Sequence, residues 1–292
     1  VTIDALIDPP VELLVGASRR PDVSAAFDDA LASLARLRFH EGLRRGWEEA
    51  RAEAAVREAA AVALILGART TVDELRLATL ADAPVERPAP GSAALVDPRP
   101  RTGRDPAMDL AIGAFRSQAG ILRDFAPLNA RTPSAPRSVP IPAPLAGIHR
   151  DLCSGLVESG RLATERVAIP ASAEVLAPAL RILSAPAPAL ARAAGIVAHF
   201  RFREVFAPAS AGVGAALARR LLVVEGVDPT GACAISALDA QDPAGASRAL
   251  AGWVRADEDG LARWMLRFAE SVEFGARVGV DVALHVQAGR LG

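Results

Sequence analysis

Apolar residues recur through most of this chain at three- and four-residue intervals, and prolines and glycines cut the runs into helix-length pieces. In residues 26–37, Ala26, Phe27, Leu31, Leu34 and Leu37 fall on one face, the spacing of an amphipathic helix. Ser24 stands in an N-cap place before them. A longer run over 41–66 meets Gly67, a natural C-terminal stop. Thr71 and Glu74 form a capping box for a helix to residue 80. Asp105 before Pro106 opens another, with Met108, Ile112, Phe115, Ala119, Leu122 and Phe125 on one side.

Further helices are read over 145–157, 175–183, 189–202, 215–224 and 247–254. A last one runs from Leu261 with Trp264, Phe268 and Val272 in its stripe. The best strand candidate is 166–170, and 206–214 reads as a glycine-bearing loop. Five prolines between 133 and 144 mark an extended connection. The fold class is therefore all-α, a helical bundle with room for one small β-hairpin. The internal division falls near residue 105, giving an N-terminal helical module over 1–104 and a helical core over 105–292.

Composition narrows the chemistry. Half of the 292 residues are apolar, and the net charge is −1. That balance gives no pull toward nucleic acid or an anionic membrane. The pairs Arg19-Arg20 and Arg44-Arg45 read as solvated faces. Residues 1–15 carry Asp4, Asp8, Pro9, Pro10 and Glu12, unlike a signal peptide or a span. The expectation is a soluble, cytoplasmic protein.

All 33 basic residues counted as Lys or Arg are arginines. A P-loop lysine and a Schiff-base lysine are thereby excluded. Any phosphate grip must use Arg, backbone N–H groups or a helix N-terminus. Cys153 and Cys233 are far apart and read as buried thiols. His40, His149 and His285 lack metal-ligand spacing, so no metal site is read. His199, beside Ala198, Phe200 and Phe202, reads as a core or capping histidine.

Several segments, in order, resemble the Fic (Fido) family. Residues 58–75, EAAAVALILGARTTVDEL, resemble its inhibitory helix through Ile65, Gly67, Thr70, Thr71 and Glu74. Residues 148–152, IHRDL, resemble its L-H-x-x-L helix. Gly160, Arg161, Val167 and Ile169 resemble its flap. Ala194, His199, Phe202, Phe206, Arg220, Leu221, Leu222 and Gly226 fall in places like those of its core motif. The tail, with Trp264, Ala269, Val272, Glu273 and Gly275, is similar to divergent Fic-like proteins common in high-GC actinobacteria.

The resemblance implies a fold, an activity and a site. The family transfers AMP from ATP to a protein hydroxyl, with a motif His as base and a glycine-rich turn as anion nest. A carboxylate holds the metal, and arginines clamp the phosphates. Here the motif region departs. Glu204 stands in the base position, and no Asp or Asn follows before Gly212. Arg219 and Arg220 are the arginines that stand near. Leu66, before Gly67, takes the place of the regulatory Glu.

These departures imply a catalytically degenerate Fic-like protein, a pseudoenzyme that acts by binding or regulation on a protein partner. The nucleotide-binding candidates are Gly212, Gly214, Arg219 and Arg220. ATP with Mg²⁺ enters only if activity is retained, and homodimerisation is common in the family. Glu204 reads either as a base or as a surface ion pair with Arg201 and Arg203. Gly212 and Gly214 read either as an anion nest or as a flexible turn. One alternative is an altered but active nucleotidyl- or phosphotransferase. A second takes Gly212-Val213-Gly214 as a broken dinucleotide fingerprint, followed by Glu225 or Asp228, in a nicotinamide-dependent oxidoreductase.

Overall fold

Alanine and leucine repeated at helical spacing bury surface by helix-on-helix packing, and the chain does so throughout. The computed structural model describes residues 8–82, 105–123, 125 and 142–290. Among the described residues there are twelve α-helices and no strand. They are α1 (Val11–Ser18), α2 (Pro21–Arg38), α3 (Trp47–Ile65), α4 (Val72–Asp82), α5 (Pro106–Gly120) and α6 (Pro142–Glu158). There follow α7 (Ala173–Leu183), α8 (Ala189–Phe202), α9 (Ser210–Val224), α10 (Ala237–Gln241), α11 (Pro243–Val254) and α12 (Glu258–Gln287).

The spine is α12, 30 residues long and so about 45 Å. It packs on α1, α2, α3, α8, α10 and α11. Leu261, Trp264, Met265, Phe268, Val272 and Ala276 supply its buried stripe. Gly275 lets it lie against the carbonyl of Ala234, which a Cβ there would meet at 2.5 Å. The Trp264 indole donates to the Ala194 carbonyl of α8 at 2.7 Å. A second layer pairs α5 with α6, α8 with α9, and α3 with α5. The helix α9 lies inside this layer, touching α3, α5, α6 and α8.

Local signals act as read in three places. The Asp105 carboxylate accepts from the Ala107 N–H at the start of α5. Thr71 and Glu74 cap α4 reciprocally: the Thr71 N–H donates to Glu74 Oε2 at 2.8 Å, and the Glu74 N–H donates to Thr71 Oγ1 at 3.2 Å. Gly67 follows the last residues of α3 with φ +82°, the left-handed turn that stops a helix.

Other expectations need correction. Ser24 is not a cap, because Pro21 starts α2 a turn earlier, after Arg20. The run over 41–66 is split into a short 3₁₀ turn at Glu41–Leu43 and α3. The stripe read as far as Phe125 ends as helix at Gly120. Segment 166–170 forms no hairpin: it has one isolated antiparallel bridge, Pro170 to Phe206, beside a bond from the Ala171 N–H to the Val205 carbonyl. Pro170 has no N–H to extend a ladder. The loop read over 206–214 is shorter, since α9 begins at Ser210 and takes in Gly212 and Gly214. The readings on 1–7, 83–104 and 126–141 lie outside the described residues. No helix among the described residues is long and apolar enough to cross a membrane.

Candidate functional site

The motif region turns between α8 and α9. The cap of α8 is Arg203, already extended in φ/ψ, and Ala209 sits at φ +72° just before α9. The Ser210 hydroxyl closes the turn. Its oxygen accepts from the Val205 N–H at 3.1 Å, and its proton faces the carbonyls of Phe200 and Arg203 at 2.9 and 3.0 Å. No reading of the sequence singled out Ser210, since a serine in a loop carries no signal of its own.

Hydrocarbon packs against both glycines read as an anion nest. A Cβ on Gly212 would stand 2.9 Å from a Leu152 methyl, 3.2 Å from a Leu66 methyl and 3.3 Å from a Val62 methyl. Gly214 lies against the Phe200 side chain of α8. Both glycines therefore serve close helix packing, and both are buried. Leu66, the C-cap of α3, packs on this core. Gly67 behind it faces open space.

The carbonyl side of the turn meets His149 of α6. Its Nδ1 accepts from the Ala168 N–H at 2.8 Å, so its Nε2 carries the proton and donates to the Pro208 carbonyl at 3.0 Å. The ring also packs on Phe206, with centroids 5.0 Å apart. One neutral imidazole thus ties α6, the 164–171 segment and the turn before α9 together. Burial holds its pKa below the usual imidazole range. Cys153 Sγ lies 3.2 Å from the same Nε2. Burial pushes that thiol up to about 11, so the pair is not a thiolate–imidazolium dyad.

The remaining candidates are dispersed. Glu204 is exposed and is not paired with the arginines beside it. Arg201 engages Asp239 at 2.6 Å and Arg203 engages Asp8 at 3.0 Å, which corrects the expected local ion pair. His199 is fully buried and its Nε2 meets the Val175 carbonyl at 2.8 Å. Among the described residues no group of three or more His, Cys, Asp or Glu side chains is placed to hold a metal.

Arg219 and Arg220 point into different surroundings. Arg219 is 2% exposed. It donates to Gln118 Oε1 at 2.6 Å and to the Gly231 carbonyl at 2.7 Å. Close by, Glu58 is fully buried and accepts from the Ser236 N–H at 3.0 Å. Burial raises its pKa, against the pull of Arg219. Arg220 is half-buried. It stacks on Phe125 at 5.2 Å and makes one long bond, 3.4 Å, to the Ile121 carbonyl. The structure therefore brings Gly212, Gly214 and Leu66 together and sets Glu204, Arg219 and Arg220 apart from them.

No protein-family model matches the sequence, and no curated protein matches it either. Among solved structures, the chain is similar to a Fic family protein from Desulfovibrio desulfuricans G20. The TM-score is 0.62 and the identity 15%, over 90% of this chain and 75% of that one. At that identity the likeness establishes the fold: an all-α, Fic-like bundle. The order of elements in this chain argues against the dinucleotide reading of Gly212-Val213-Gly214. That fingerprint needs a strand running into its glycine turn, and here α8 and a short turn precede it.

Proposed function

We propose that this Fic-like chain acts by binding rather than by transferring AMP. One observation carries the reading: leucine and valine methyl groups pack directly on Gly212, and its N–H is already spent on the Ala209 carbonyl at 2.9 Å, so the residue read as an anion nest offers a phosphate no donor. An apolar lining offers nothing to a triphosphate, and burying an unpaired phosphate charge against it costs several kcal/mol. The exposed position of Glu204, with its neighbours Arg201 and Arg203 engaged by Asp239 and Asp8, supports the same reading.

The test is label transfer from ATP with Mg²⁺ or Mn²⁺, in the presence of a cell lysate. The expected result is no transfer above a protein-free control. Transfer that disappears in Glu204→Gln would overturn the proposal and favour an altered, active nucleotidyl- or phosphotransferase. Gly212→Val is a poor probe, because it crowds Leu152, Leu66 and Val62 whatever the site binds.

A further inference from the structure

A second site lies further along α9, outside the turn. A cavity of about 250 Å³ opens between α5, α6 and α9, lined by Gly120, Ile121, Gly147, Ile148, Asp151 and Arg220 among others. Its walls are largely apolar, with one carboxylate and one guanidinium. Among the described residues neither charge has an oppositely charged side chain within 4 Å. No hydrogen bond reaches the Asp151 carboxylate and no cation lies within 4 Å of it; Arg123, Arg150 and Arg116 act on it only at a distance. Arg116 is itself engaged with Ser154 and Glu158. Arg220 has Phe125 and one long bond to a carbonyl, and no carboxylate within 4 Å.

Opposite charges that line one small cavity would ordinarily pair with each other or turn to bulk water. These two line the same cavity without touching. Each keeps hydrogen-bonding capacity unspent: up to four acceptor sites on the carboxylate, and most of the five donors on the guanidinium. The surrounding Ile121, Ala143, Pro144 and Ile148 offer an apolar floor between them. Such convergence of a few polar groups on an apolar pocket is how small-molecule sites are built. Desolvation that raises the Asp151 pKa agrees with a carboxylate lacking its counter-ion.

We propose that this cavity binds a small zwitterion of amino-acid size, its ammonium on Asp151 and its carboxylate on Arg220. The fit is chemical on both ends. An ammonium supplies three donors to the carboxylate, and a carboxylate matches the planar fork of the guanidinium. A short aliphatic side chain covers the apolar floor. A triphosphate satisfies Arg220 alone and sets its own negative charge toward Asp151. The proposal does not rest on the binding-only reading of the α9 turn.

The experiment uses the full chain and a panel of free α-amino acids in thermal-shift and calorimetric titrations. Simple alkylamines, alkyl carboxylates, inorganic phosphate and ATP are the controls. At least one aliphatic amino acid should bind saturably, with Kd of about 1 mM or tighter, while the mono-functional controls do not. Asp151→Asn and Arg220→Gln should each weaken it by about tenfold or more, which is 1.4 kcal/mol.

Gly147 provides a variant that folds. It lies within α6, and a Cβ there meets nothing within 4 Å. Gly147→Leu should therefore keep the unliganded Tm or raise it, and should abolish binding by filling the cavity. No binding of any amino acid by the unaltered chain overturns the proposal. So does binding unchanged in Gly147→Leu, or a response to phosphate and ATP without one to amino acids.

Discussion

The two halves of α9 solve opposite problems with neighbouring residues. Its first turns drop the side chain at Gly212 and Gly214, so that α3 and α6 close on the one and α8 on the other. Its later turns carry Arg219 and Arg220, consecutive guanidinium groups sent to different places. Arg219 is sunk among Gln118, Gly231 and Glu58, and Arg220 faces a cavity. The first half is held by contact between methyl groups and rings, which tolerates no added volume. The second is anchored through Arg219 by buried polar partners, which do not tolerate the loss of that charge. The cationic side chains of α9 thus sit one to two turns away from its glycines.

Removing the buried charge should be the most damaging way to break this contrast. Arg219→Met leaves Gln118 Oε1 and the Gly231 carbonyl buried without their donor and Glu58 without its cation. We expect a loss of about 3–5 kcal/mol in urea unfolding. Arg220→Met, one residue on, should lose no more than about 1 kcal/mol. Equal losses at the two positions would show that their surroundings do not differ in kind. Gly214→Val comes next, at about 1–3 kcal/mol by the same measurement, because its new Cβ meets the inner part of Phe200.

The pH dependence separates the halves again, with opposite signs. His149 beside the turn has a folded-state pKa below its unfolded one. Its contribution is present above about 6.5 and is lost as pH falls through the folded value. Glu58 beside Arg219 has a folded-state pKa above its unfolded one. Its contribution is present below about 4.3 and is lost as pH rises through the folded value. Each slope is at most about 1.4 kcal/mol per pH unit. In thermal unfolding from roughly pH 4 to pH 9, Glu58→Gln should flatten the alkaline-going loss. His149→Gln should flatten the acid-going loss. The smallest effect belongs to Glu204→Gln: exposed, it should change stability by less than about 0.5 kcal/mol. A larger change would place Glu204 in an interaction that the structure does not contain.

Much of this was legible residue by residue, wherever a local rule had no competitor. Asp105-Pro106, the Thr71–Glu74 box and Gly67 act within one turn of backbone, and they cap or stop helices as their chemistry requires. Segment 166–170 failed because β-branched residues beside a proline need a partner strand, and Phe206 offers a single bridge. Gly212 and Gly214 misled for a related reason. Glycine weakens an isolated helix by about 1 kcal/mol relative to Ala, so two of them read as loop. Packed against Leu152, Leu66, Val62 and Phe200, the same glycines let helices approach, and burial outweighs propensity.

The site was harder to read than the fold. The sequence suggested Glu204 in place of a base and Leu66 in place of a regulatory carboxylate only through its resemblance to the Fic family. Their consequence was not visible there, because it depends on what fills the space they leave. Asp151 carries no signal in a row of letters, and neither does the difference between Arg219 and Arg220. By itself the sequence determined the helix-only architecture, the arginine-only cation set and the helix boundaries set by caps and prolines, all of which depend on covalent geometry and neighbouring residues. Only the tertiary structure decided which glycines lie under leucines, which arginine is buried and where a carboxylate and a guanidinium share a cavity without forming an ion pair. Those outcomes turn on contacts between α3, α5, α6 and α9, helices separated by tens of residues, whose packing free energy no local stretch contains.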